Sequence, residues 1–252
     1  MPANECKALH FYNDKFRDLI NDKVGYQKDG SISFTEHVKK SLGLNKESDW
    51  SFICSSMDII NDSLLGIENF IRFGMGGPTK YNDSGEKYIR LYGVLNATYI
   101  QQQALLNLHQ ISNTPNLAEA KNKINSLHIR DVRNKLGAHS VDYENKDSKE
   151  LESFVPVRIT LGGMHCEYYN NASFSKHHVD LAAALSEHVS TMNDLYKVIY
   201  EKLAKTIYKT NIDIYTSLID HLSDGQVIRE GGVAIRNAEG ELKFVTTFTE
   251  QP

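Results

Sequence analysis

Arg133, Asn134 and His139 are the residues of this chain whose types and spacing best suit chemistry. An imidazole can take a proton from a 2'-hydroxyl near neutral pH. A guanidinium can hold a phosphate, and the extra charge that develops on it, through two parallel hydrogen bonds. With no metal ligand nearby, that pair suffices to cleave an RNA phosphodiester: His139 as base or acid, Arg133 on the scissile phosphate, Asn134 orienting the histidine or donating to a phosphate oxygen. One histidine cannot be acid and base at once, and a face-to-face homodimer, with two Arg/His sets in one cleft, supplies both.

Spacing alone is weak, because Arg158 and His165 also fit it. Residues 157–165, however, read as strand and turn, and an isoleucine follows that arginine. At Arg133 a polar residue follows, an amphipathic helix precedes, and Gly137 separates the two groups as a left-handed helix stop that turns His139 back beside the last helical turn. The structural alternative is that Arg133 forms an ion pair near Asp131 or a helix end, while His139 caps carbonyls at the helix C-terminus, where the dipole favours cations.

Several elements must position these groups. Residues 5–23 suggest a helix with Leu9, Phe16, Leu19 and Ile20 as its apolar stripe, and residues 33–42 a short helix opened by Ser33. Residues 48–73 carry Phe52, Ile53, Ile59, Ile60, Leu64, Ile67, Phe70 and Ile71 at helical spacing and end at the glycines from Gly74 to Gly77. No GK[ST] follows those glycines, so they read as a terminator, not a phosphate loop.

Residues 84–111 predict a helix with two faces. Leu91, Val94, Leu95, Leu105 and Leu108 suit a core, while Tyr92, Asn96, Tyr99 and Gln103 align on another face as candidate substrate-binding groups. Arg90 and Arg130 join that candidate set, and Asp131 is a candidate supporting group. Pro115, after a Ser112 to Thr114 cap, opens a helix with Leu117, Ala120, Ile124, Leu127 and Val132 buried and with Lys121, Lys123, Arg130, Arg133 and Lys135 clustered on it.

Residues 155–169 read as two strands about a Gly162–Gly163 turn. Residues 175–223 carry the longest helical pattern, which unbroken would span about 70 Å, so a kink near Thr206 to Asn211, or a projection into a partner, is expected. Residues 232–249 suggest a hairpin turning at Ala238 to Gly240, and the two β segments are expected to pair into one small sheet, since a lone hairpin is marginal. Adjacent His177 and His178 on a helix would point about 100° apart, and with no carboxylate or cysteine at a useful spacing no metal site is expected.

On Arg133, Asn134 and His139, with the helices around them over residues 50–222, the chain resembles the HEPN superfamily (higher eukaryotes and prokaryotes nucleotide-binding), whose signature is Arg, four to six residues of which the first is usually polar, then His. Here five residues intervene. Residues 88–103 look like the polar-faced helix that precedes the motif in several branches. The resemblance implies a mainly α, HEPN-like helical bundle, here with a small antiparallel β appendage. Residues 1–225 would form the bundle, with a hairpin insertion near 155–169, and residues 226–252 a C-terminal hairpin extension. It also implies a metal-independent endoribonuclease of a defence or toxin–antitoxin kind: no cofactor, RNA as substrate, a homodimer, and an antitoxin or nucleotidyltransferase as partner. The other reading is a non-catalytic module that binds nucleotide, RNA or a protein partner.

Composition bounds these readings. A chain of 252 residues forms one large domain, or a domain with an appendage, around a sizeable core. A net charge of −4 argues against a generic nucleic-acid coat or a membrane-surface protein, though not against a local basic site. The cysteines, Cys6, Cys54 and Cys166, form no CxxC pair, which indicates neither a disulfide framework nor a zinc knuckle. No signal-peptide pattern or long apolar run is present, so a cytoplasmic, membrane-free protein is expected.

Overall fold

Leu9, Phe16, Leu19 and Ile20 lie buried on one face of helix α1 (Pro2–Val24), as their spacing requires. The computed structural model describes residues 2–27, 30–79, 82–145, 147–237 and 242–247. It is mainly helical, with small antiparallel sheets. Helix α2 (Phe34–Leu42) opens at Ser33, whose hydroxyl accepts from the Glu36 amide, and closes on left-handed Gly43. Helix α3 (Asp49–Phe73) buries Ile53, Ile60, Leu64, Ile67 and Phe70 but leaves Phe52 and Ile59 exposed, so the buried stripe is narrower than the apolar one.

Gly74, at φ 59°, ends α3. A Cβ there would sit 2.5 Å from the Gly163 carbonyl oxygen, which accepts the Met75 amide at 2.9 Å. The terminator therefore also docks the glycine turn at 162–163 onto the helices. Helix α4 (Ser84–Ile111) is capped by Asp83, whose carboxylate accepts from the Glu86 amide, and buries the expected leucines and Val94. It packs along α3.

The helix expected from Pro115 to Gly137 is three pieces. Asn116, at φ 63°, precedes helix α5 (Leu117–Asn125), so the helix starts later than the Ser112 to Thr114 cap predicts. The chain breaks at Ser126 and Leu127 and resumes as helix α6 (His128–Arg133). A π-helical turn (Asn134–Ala138) follows. Ala120, Ile124, Leu127, Ile129 and Val132 are buried across the break, because the bend keeps one apolar face on α4 and α7.

Strands β1 (Tyr143–Glu144) and β2 (Leu151–Glu152) pair as a short ribbon. Strands β3 (Phe154–Pro156), β4 (His165–Asn170) and β5 (Ser175–Asp180) form an antiparallel three-stranded sheet, with Val155 opposite Tyr169 and Tyr168 opposite His177. Arg158 lies in a 3-10 turn, not a strand. The segment 175–180 is a strand, not the start of the long helix: Asp180 caps helix α7 (Leu181–Ile207) by accepting from the Ala183 amide. His177 and His178 thus point to opposite faces, His177 stacking on Tyr168 and His178 on His165.

Helix α7 buries Leu185, Val189, Met192, Tyr196, Ile199 and Leu203. The expected interruption falls at Tyr208 to Asn211, before helix α8 (Ile212–Arg229). Strands β6 (Gly232–Arg236) and β7 (Leu242–Thr247) pair with each other in a separate hairpin packed on α8, not with the other sheet. The turn expected at 238–240 lies outside the described residues. No described helix is long and apolar enough to cross a membrane.

Candidate active site

The π turn is the local feature that sets the motif. Its defining bond runs from the His139 amide to the Asn134 carbonyl, at 2.8 Å and five residues apart. Such single wide turns recur at functional sites because the extra residue rotates the side chains beyond it. Gly137 is exposed and lies outside the left-handed region, so the chain leaves α6 through the π turn and not through the glycine stop expected from sequence. His139 still emerges beside Asn134.

Arg133 is half-buried. Its guanidinium carbon stands 3.8 Å from the centre of the Tyr99 ring, and Nη1 donates to Asn134 Oδ1 at 3.3 Å. Arg130 lies over the same ring at 4.4 Å, and its Nη1 donates to Gln102 Oε1 at 2.9 Å. Burial is the main cause that lowers the Arg130 pKa, and the Arg133 charge adds to it. Tyr99 thus carries two cations, placed by α6 above α4.

His139 opens to solvent, its side chain 55% exposed, with Nδ1 3.3 Å from Asp142 Oδ1. Together with Asn134, Asp142, Tyr143, Asp131 and Glu144 it lines a cleft of about 420 Å³. Arg133 lies outside that lining and meets it through Asn134. The carboxylates of the cleft each have a nitrogen partner: Lys135 on Asp131 at 2.8 Å, the His139 imidazole on Asp142, and Lys149 near Glu144 at 3.8 Å. Lys135 also lies over the Tyr143 and Phe154 rings, which ties the π turn to the sheet. Its pKa is raised, Asp131 outweighing the opposing effect of burial.

The other sequence-selected residues divide. Tyr92 (41% exposed, stacked on Tyr88), Asn96 and Gln103 line the open face of α4. Arg90 stands apart, nine residues or about 13 Å along the helix from Tyr99. It donates to the Gly74 carbonyl at 2.6 Å and to Asn69 Oδ1 at 3.0 Å, which secures the α3 terminus. The expected lysine cluster is dispersed: Lys123 pairs with Glu119 on α5, and Lys135 with Asp131. Among the described residues, no group of three or more His, Cys, Asp or Glu side chains is placed to hold a metal ion.

Sequence reasoning missed Asp142, three residues past His139, where a carboxylate beside an imidazole was a readable signal. It also missed Gln101, Gln102 and His188, all wholly buried, with each glutamine hydrogen-bonded to the histidine. Compared with known proteins, the chain matches no family model, no curated protein and no solved structure.

Proposed function

We propose that this protein is a metal-independent endoribonuclease in which Arg133 and His139 act on one phosphodiester. The observation that carries the reading is Asn134: its side chain accepts from Arg133, its carbonyl accepts the His139 amide, and it lines the cleft His139 enters. In this reading Asp142 holds Nδ1–H, leaving His139 Nε2 as base for the 2'-hydroxyl proton. The freed oxygen attacks phosphorus, the 5'-oxygen leaves and takes a proton, and a 2',3'-cyclic phosphate and a 5'-hydroxyl result. Arg133, held over the Tyr99 ring, donates to the non-bridging oxygens as charge builds on them. The proton for the leaving group comes from the second His139 of a homodimer. Within this reading the enzyme is a cytoplasmic defence or toxin component, restrained by an antitoxin or paired with a nucleotidyltransferase.

Incubation with mixed RNA in EDTA tests this. Cleavage by wild type that is lost in Arg133→Ala and His139→Ala supports it, and RNA left intact by wild type overturns it. One observation favours a second reading, a non-catalytic module for a protein partner. Asp131, Asp142 and Glu144 all face the cleft, and carboxylates repel a phosphate wherever no cation offsets them. Binding without cleavage selects that reading.

A further inference from the structure

A continuous chain of hydrogen bonds runs from Arg130 through the core to a backbone carbonyl on α3. Arg130 Nη1 donates to Gln102 Oε1 at 2.9 Å, Gln102 Nε2 meets His188 Nδ1 at 3.3 Å, His188 Nε2 meets Gln101 Oε1 at 2.8 Å, and Gln101 Nε2 donates to the Ile60 carbonyl at 3.1 Å. Four helices contribute: α6, α4, α7 and α3. Both glutamines and His188 are fully buried, so no water competes for these groups.

The direction of the chain is forced from both ends. A guanidinium only donates, so Gln102 must turn its oxygen to Arg130 and its amide to His188. Nδ1 must then be the bare nitrogen, and Nε2 must carry the proton. Gln101 therefore offers its oxygen to His188, which leaves its amide for the Ile60 carbonyl, itself only an acceptor. Any single reversal sets two donors or two acceptors face to face in the interior, where an unmade hydrogen bond is costly.

We infer that His188 is a positioning residue. Its Nε2–H tautomer orients Gln102 so that Gln102 holds Arg130 over Tyr99, the ring that also carries Arg133. The inference rests on the reading of Arg133 as the phosphate-binding group, but its geometry can be tested apart from activity. Freed from Gln102, Arg130 loses the hydrogen bond that anchors it in this group, and the Tyr99 platform loses one of its two partners.

The test uses the full-length protein labelled with nitrogen-15. In wild type, His188 Nδ1 should resonate as a bare ring nitrogen and Nε2 as a protonated one, with the Arg130 guanidinium hydrogens protected from exchange. His188→Leu and Gln102→Leu should each lower that protection at least tenfold. The isosteric Gln102→Glu keeps an acceptor for Arg130 but presents a carboxylate to Nδ1, so it should protonate that nitrogen. On RNA, His188→Leu and Gln102→Leu should lower kcat about tenfold or more with KM little changed, as a displaced support does. Should His188→Leu fail to fold, the two Gln102 variants carry the test. A wild-type Nδ1–H tautomer, or Arg130 protection unchanged in the two leucine variants, overturns the inference. RNA cleavage at the wild-type rate by His188→Leu also overturns it and leaves the site standing, whereas RNA untouched by wild type overturns the ribonuclease reading while the spectra still decide the relay.

Discussion

Arg133 rests on Tyr99, its guanidinium carbon 3.8 Å from the ring centre. Tyr99 comes from α4 and Arg133 from the end of α6, so the contact joins two helices at the motif. A partly desolvated cation over an aromatic face contributes about 1–2 kcal/mol. Tyr99→Ala should therefore lower kcat/KM for RNA about tenfold, and Tyr99→Phe, which keeps the ring, should stay within about threefold of wild type. Steady-state rates on one RNA check this.

Two glycines should respond oppositely to alanine. At Gly137 the backbone is not left-handed, and a Cβ would meet only Arg133 Cγ at 3.9 Å. Gly137→Ala should leave the thermal midpoint unchanged or raise stability by about 0.5 kcal/mol through the unfolded chain. Gly74→Ala should cost about 2 kcal/mol or more, because φ is 59° and the methyl would press on the Gly163 carbonyl. Urea unfolding of both variants separates the two cases.

Burial lowers the His188 pKa from 6.5 to about 3. Between those values the unfolded chain binds a proton at this residue and the folded chain does not. The stability this group contributes is thus present above pH 6.5 and lost progressively as pH falls toward 3. In His188→Leu, unfolding free energy should vary less steeply with pH across that window, by at most about 1.4 kcal/mol per pH unit. Urea midpoints at several pH values, wild type against variant, measure the difference.

Thiol reactivity should follow burial. Cys6 and Cys166 are buried, and desolvation pushes both thiols up to about 12, so neither forms much thiolate at pH 8. Cys54, partly exposed, is raised as well, mainly by desolvation. Native protein should label slowly at Cys54 alone, and all three cysteines should label in denaturant. Mass spectrometry of a maleimide time course reads this.

Much of the helical frame is legible in the sequence because its apolar spacing is long and unbroken. The stripes from Leu9 to Ile20, Ile53 to Phe70 and Leu185 to Leu203 are buried where their period places them. The elements that differ do so for local reasons. No Gly or Pro marks the bend at Ser126 and Leu127; it follows from packing against α4 and α7. Residues 175–180 are polar on both strand faces except at Val179, so the spacing of the helix behind them extends backward across Asp180. Arg133, Asn134 and His139 are legible as a motif, but the π turn that presents them replaces the glycine stop. Gln101, Gln102 and His188 are hidden because polar residues are expected on surfaces, and only the fold shows that they satisfy one another inside.

Whether Arg133 and His139 act on the same bond can be read from a double-mutant cycle on RNA cleavage. Rates are measured for wild type, Arg133→Ala, His139→Ala and the double variant, with the 3'-ends of the products identified as 2',3'-cyclic phosphates. Each single change should remove most of the activity, and the double change little more, as for groups acting in one step. Losses that multiply independently, or cleavage that persists without His139, would contradict it.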